Sequence, residues 1–179
     1  MAEPRNEPRV PRRPAVSRYG VLAYGLAAAV IVLDQLSKAW VLKALDFGSR
    51  PPLEILPFFH LNLTHNAGIS FGLFRAETDL VRWLLVSFAL AVVAALALWA
   101  RRIGRTLTAF AVGLILGGAI GNNLIDRVRT GSVTDFLDFH PLFPWVFNVA
   151  DSAITVGVAL LLLESFLKPE VAASDRTAA

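Results

Sequence analysis

The chain contains no cysteine. That absence excludes disulfide bonds, thiolate metal sites and a cysteine nucleophile. It also lacks an H-E-x-x-H segment, and its three histidines, His60, His65 and His140, are scattered. They read as membrane-interface residues rather than metal ligands, and no metal or organic cofactor is expected. No internal repeat and no long low-complexity tract occurs in the 179 residues. What is abundant is apolar character. Hydrophobic residues make up 55% of the chain, too many for an ordinary soluble domain, in a length too short for two large ones. The formal net charge of +3 raises the possibility of nucleic acid. The basic residues lie instead in short clusters beside apolar runs, the pattern of membrane orientation, so no nucleic-acid partner is expected.

A membrane-spanning helix needs about 20 mostly apolar residues. Four segments qualify, roughly Tyr19–Leu45, Leu80–Ala100, Leu107–Ile125 and Val149–Leu167. Arg5, Arg9, Arg12, Arg13 and Arg18 precede the first, and Arg101, Arg102 and Arg105 link the second to the third. With four spans these Arg-rich segments share a face, which the positive-inside rule places in the cytoplasm with both termini. The links at about 46–79 and 127–148 then face outward. A cleaved signal peptide is a weaker reading of the N-terminus, because the apolar stretch runs on into "DQLSKAWVL" without a small-residue cleavage site. Residues 1–18 and 168–179 are expected to be disordered tails around a single membrane domain over 19–167.

Depth then sorts the polar residues. Asp34 lies fifteen residues beyond Tyr19, about 22 Å along a helix, in the outer half of the first span. Lys38 follows four residues later on the same face and can pair with it. Asn122, Asn123, Asp126 and Arg127 gather at the outer end of span three. Asn148 and Asp151 gather at the outer start of span four, and Asp135 and Asp138 lie in the loop between. Intramembrane charges usually face a bundle interior and pair there, so this shared level points to a site. The inner halves of the spans are nearly free of polar groups, which argues against an ion path.

Two carboxylates that share a proton can hydrolyse a peptide bond. The ionised one acts as general base on water, and the protonated one polarises the carbonyl. Asp135 and Asp151, sixteen residues apart, can meet if the loop folds back. Asp138 competes for the role, since it shares a face with Asp135 if that segment is helical. The spacing alone leaves both pairings open. Gly68-Ile69-Ser70-Phe71-Gly72 fits the G-x-S-x-G serine-hydrolase pattern. That motif needs a strand–turn–helix in a soluble α/β sheet, for which the chain has no room. "GLILGGAIGNN" reads mainly as close helix packing through small residues. Its asparagine amides need hydrogen-bond partners in an apolar setting.

Five segments occur in order along most of the chain: "DQLSK" (34–38), "NAG" (66–68), "GGAIGNNLIDR" (117–127), "GSVTDFLDF" (131–139) and "FNVADSAI" (147–154). Together they resemble the lipoprotein signal peptidase (signal peptidase II) family of bacterial inner-membrane aspartic peptidases. The resemblance implies a four-helix membrane fold with a small extracytoplasmic β-platform, placed within 46–79, and a short loop helix. It implies cleavage of prolipoproteins before the cysteine that bears diacylglycerol, and sensitivity to the cyclic peptide globomycin. It assigns Asp135 and Asp151 as the catalytic pair. Asn66, Gly68, Asn123, Arg127, Asn148 and Ala150 match positions that line the site or contact substrate. Asp34 and Lys38 match a supporting motif. The expected partners are the lipidated precursors and membrane lipid, with the chain acting as a monomer.

One departure stands out. The family pattern G-N-x-x-D-R has one asparagine after the glycine, whereas here Gly121 and Asp126 enclose one residue more. Counting back from Asp126 selects Asn123, and counting forward from Gly121 selects Asn122. An added residue turns a helix by about 100°, which a π-bulge can absorb. Because Asp126 and Arg127 fix the register nearest the site, Asn123 is the expected site residue.

Overall fold

The computed structural model describes residues 14–46, 49–68 and 78–167. Four helices long and apolar enough to cross a membrane dominate them. They are α1 (Arg18–Ala44), α2 (Asp79–Ala100), a third span beginning with α3 (Thr106–Ala119), and α5 (Val149–Leu167). The third span continues through a π-helical segment (Ile120–Asp126) and a last turn, α4 (Arg127–Thr130). Gly131, at φ 82°, closes that turn in the left-handed conformation glycine favours. Of the apolar core of this third span 61% is buried, against 17% for α2. The third span is therefore the centre of the bundle, and α2 presents Leu80, Phe88 and Leu98 to the surroundings.

Burial on α1 follows one stripe: Gly20, Ala23, Ala27, Val30, Asp34, Lys38 and Val41. The steps of three and four residues keep all seven on one helix face. Asp34 and Lys38 are thus core positions of the sequence pattern, filled by charges. Without a hydrophobic drive between helices in lipid, association rests on close packing. A Cβ on Gly117 would lie 2.7 Å from the Ala27 carbonyl oxygen, and one on Gly118 2.5 Å from that of Ala150. Span three therefore touches α1 and α5 backbone to backbone.

Three antiparallel strands cap one end in the order β1 (Leu53–Leu56), β2 (Phe59–Asn66), β3 (Val133–Asp138). The platform expected within 46–79 supplies two strands, and the second loop supplies the third. No separate loop helix occurs among the described residues. Thr64 pairs with Asp135 and Leu61 with Leu137, so β2 carries an extra residue between them. Such a bulge bends a strand and re-aims side chains. An apolar cluster of Val41, Leu45, Leu61 and Phe136 seats the sheet on α1. A second cluster, Ala23, Ala100, Ile103, Ala109 and Val112, closes the bundle at the α2–α3 turn. Along α1 the charged pair lies between these two apolar layers.

Candidate active site

Lys38 anchors the polar layer. Its ammonium has three donors and no acceptor, and it meets three acceptors at 2.7 Å: Asp34 Oδ2, Asp126 Oδ2 and Asn122 Oδ1. Lys38 and Asp34 are 3% and 0% exposed. Removing one partner from so buried a group strands the others and is strongly destabilising. Gln35 ties the two carboxylates together, donating to Asp34 Oδ2 at 3.1 Å and to Asp126 Oδ1 at 2.8 Å. Asp34 Oδ1 accepts the Ala150 N–H at 3.1 Å, and Asp126 Oδ2 accepts that of Thr134 at 3.3 Å. The network thus pins α5 and β3 to α1 and span three.

The asparagine that enters this layer is Asn122, not Asn123. Seven residues, Ile120–Asp126, form a π-helix, and the Arg127 N–H reaches the carbonyl of Asn122, five residues back. The extra residue is absorbed after Asn122, as a π-bulge does. The reason lies at Gly121, where a Cβ would sit 2.8 Å from Asp34 Oδ2. Gly121 is held against α1, so the register counts forward from it. Lys38 can only donate, so its Asn122 partner must be the carbonyl oxygen. The Asn122 amide nitrogen is thereby turned toward Asp151 Oδ1, at 2.8 Å.

Asp151 is held by helix-capping chemistry. Asn148 precedes α5, and its Oδ1 accepts the Asp151 N–H at 2.9 Å. Asp151 Oδ2 accepts the Asn148 N–H in return, at 3.2 Å. This reciprocal pair is a capping box built from N-x-x-D. Asn148, fully buried, also donates through Nδ2 to Asp135 Oδ1 at 2.6 Å and to the Thr134 carbonyl at 3.2 Å. One asparagine therefore touches both Asp135 and Asp151.

Asp135 lies on β3, 3% exposed. Burial first, then the charge of Asp151, pushes its carboxyl up to about 7, against hydrogen bonds from Asn66 and Asn148 and the Lys38 charge. A carboxyl there holds its proton over part of the neutral range. Asp138 is different. The segment is a strand, not a helix, so residues three apart point to opposite faces. Burial raises the Asp138 carboxyl, but hydrogen bonds from Asn62 and His140 outweigh it and hold the group below its ordinary value. Asn62 Nδ2 donates at 3.0 Å, and the His140 backbone N–H at 3.1 Å.

The remaining expected residues take supporting places. Arg127 donates to the carbonyls of Ala67 and Gly68 at 3.2 and 2.7 Å, and Asn66 Oδ1 accepts the Gly68 N–H at 2.9 Å. Arg127 thus holds the backbone that leaves β2. Ala150 is fully buried and supplies a backbone N–H and a small side chain between α5 and span three. Ser70 lies outside the described residues. Among the described residues, no group of three or more His, Cys, Asp and Glu is placed to hold a metal ion. Gln35, Thr134 and Asn62 are additions to the expected set. The N-x-x-D spacing of Asn148 and Asp151 is a local capping signal that also went unused in the sequence-based expectations.

Comparison with known proteins identifies the family and the fold. The family described as signal peptidase (SPase) II, Peptidase_A8, matches residues 26–167. A lipoprotein signal peptidase of Caulobacter vibrioides is 52% identical over 164 residues, covering 91% of this chain and 97% of that protein. One from Beijerinckia indica is 46% identical over 149 residues, covering 82% and 89%. A bacterial membrane enzyme solved by the in meso method at 2.3 Å resolution shares the fold, with a TM-score of 0.70 at 24% identity over 87% of this chain and 93% of that one. The match spans all four helices and the sheet, and the chain therefore belongs to the signal peptidase II family.

Proposed function

We propose that the chain is a membrane-embedded aspartic endopeptidase that removes signal peptides from diacylglyceryl-modified prolipoproteins, cleaving before the lipidated cysteine. The observation that carries this reading is the Asn148 side chain, which bonds Asp135 at 2.6 Å while capping the helix turn that presents Asp151. Two carboxylates held this way titrate as one unit and share a proton. The proton belongs on Asp135. Both oxygens of Asp151 face N–H donors, from Asn122 and from the Asn148 backbone, an arrangement that suits the ionised form.

Asp151 then takes a proton from water as the water oxygen bonds to the scissile carbonyl carbon. Asp135 gives its proton to the carbonyl oxygen, forming a neutral tetrahedral diol. When the C–N bond breaks, Asp151 passes its proton to the leaving amine of the lipidated cysteine. Asp135 recovers a proton from the diol hydroxyl, which leaves the signal peptide with a carboxylic acid. No step uses a metal or an organic cofactor.

The Arg clusters support a reading in which both termini lie on the cytoplasmic side of the bacterial inner membrane and the sheet end at its outer face. The loop after β3 exposes Leu142, Phe143 and Trp145 there, suited to a lipid interface where substrate acyl chains approach. Cleavage needs one copy of the chain. The test is cleavage of a lipidated precursor by purified protein, with the product ends identified by mass spectrometry. Asp135→Asn and Asp151→Asn should each lose activity about 1,000-fold or more, the scale of lost general acid–base catalysis. Near-normal cleavage by either variant would remove the pair from the mechanism.

A further inference from the structure

Arg82 lies in the first turn of α2, at the sheet end of the bundle. A cation there opposes the dipole of its own helix. Its ion pair with Asp79 is loose, 3.9 Å to a carboxylate that is 90% exposed, and contributes little. The bonds of Arg82 run instead to another helix. Its Nε donates to the Arg127 carbonyl at 2.9 Å, and a terminal nitrogen donates to the Val128 carbonyl at 2.6 Å. The Arg127 carbonyl also accepts the Gly131 N–H, at 3.1 Å. The Val128 carbonyl is among the last of its span, which a helix leaves without an N–H of its own. A Cβ on Gly131 would lie 3.6 Å from the remaining Arg82 nitrogen, so the whole guanidinium sits against this turn. Here the cation meets the end of a helix dipole that favours it.

What Arg82 grips is the main chain of Arg127. The Arg127 guanidinium spends its two terminal nitrogens on the carbonyls of Ala67 and Gly68. Its Nε is buried and makes no hydrogen bond among the described residues. No bond at Nε therefore steadies the side chain midway, and the place of the guanidinium follows the main chain behind it. The contacts continue from Gly68, whose N–H Asn66 Oδ1 accepts at 2.9 Å, to the bond between Asn66 and Asp135. We propose that Arg82 is a positioning residue for the reaction: by holding the Arg127 main chain from α2, it sets the Arg127 guanidinium and, through Gly68, the Asn66 side chain that meets Asp135. This inference rests on the peptidase reading above. It gives α2, the least buried of the four spans, a role at the site.

The test is kcat/KM for a lipidated precursor across pH, in wild type, Arg82→Gln and Asp79→Asn. Arg82→Gln should lower kcat/KM by about 10- to 100-fold, the upper figure being the cost of misplacing a site by about 1 Å. It should also move the high-pH limb upward. The bonds from Asn66 and Asn148 and the Lys38 charge hold the Asp135 carboxyl down against burial and the Asp151 charge. A loosened Asn66 lets that carboxyl rise, so Asp135 keeps its proton to higher pH. Asp79→Asn should keep the wild-type rate and limb, and the same losses there would give the role to the ion pair instead. Arg82→Lys keeps the cation without the planar fork. It should show both effects at smaller size, and it carries the test if Arg82→Gln does not fold. Unchanged kcat/KM in Arg82→Gln would overturn the proposal. So would a loss with the limb at its wild-type pH, which would make Arg82 a packing residue of the bundle. No cleavage by wild type would sink the peptidase reading itself, whereas wild-type cleavage with an unaffected Arg82→Gln sinks only the role of Arg82.

Discussion

Asp135 and Asp138 sit three residues apart on β3, both nearly inaccessible, at 3% and 7% exposure. On one face, Asp138 gathers donors from Asn62 and His140 and lies below the ordinary carboxyl value. On the other, Asp135 faces a second carboxylate, and its pKa is raised to about 7 despite two asparagine bonds. The same residue type on the same strand is thus fully compensated on one face and left poised on the other. Both accept donors, and burial raises both. At Asp135 burial and the added Asp151 charge outweigh the donors, whereas at Asp138 the donors from Asn62 and His140 outweigh burial. Asp138 is built like a structural carboxylate that fastens a bulge, and Asp135 like an acid–base group.

The contrast can be broken most forcefully by exchanging the charge. Asp135→Asn should abolish cleavage while Asp138→Asn reduces it only a few-fold, and comparable losses would erase the distinction. A second large effect concerns the layer beneath. Lys38→Met leaves Asp34 and Asp126 facing each other without their cation and should destabilise the fold by about 3–5 kcal/mol, measured by thermal unfolding in detergent. Retained stability would mean that the carboxylates take up protons instead.

Next in size is the asparagine pair. Asn122→Ala should lower kcat about 10–100-fold by freeing Asp151, with Asn123→Ala close to wild type. The reverse order would show that the π-helical register is wrong for the working enzyme.

Smaller still is the effect of pH. Asp135 must hold a proton to act as the acid, so kcat/KM should fall as pH rises through about 7, the value of this group. The stability consequence has a definite sign. The folded-state value is raised above the ordinary 3.8, so the folded state binds this proton more tightly than the unfolded chain. The group's contribution to stability therefore declines as pH rises from about 4 to about 7. Asp135→Asn should accordingly raise Tm relative to wild type at pH 8 and leave it unchanged at pH 4. A lower Tm at pH 8 would contradict the raised carboxyl value of Asp135.

Much of this was legible in the sequence, for identifiable reasons. The spans follow from hydropathy, and Asp34 with Lys38 from helical spacing. Orientation placed Asp135, Asp138 and Asp151 at one level, and the family resemblance, not the spacing, picked Asp135 and Asp151 from the three. The strand at 133–138 was not legible from the spacing of Asp135 and Asp138, because the two faces become distinct only when β2 pairs with the segment. Gln35 showed no signal, since bridging Asp34 and Asp126 depends on how α1 packs against span three. The choice of Asn122 depended on a contact between Gly121 and Asp34 that no local count contains. In each case the missing information was a tertiary contact.

The most direct measurement is single-turnover cleavage of a diacylglyceryl-modified precursor by Asp135→Asn and Asp138→Asn, side by side at pH 6. The account predicts a rate about 1,000-fold or more below wild type for the first and within a few-fold of wild type for the second. Equal rates in the two variants, or a slower Asp138→Asn, would contradict it.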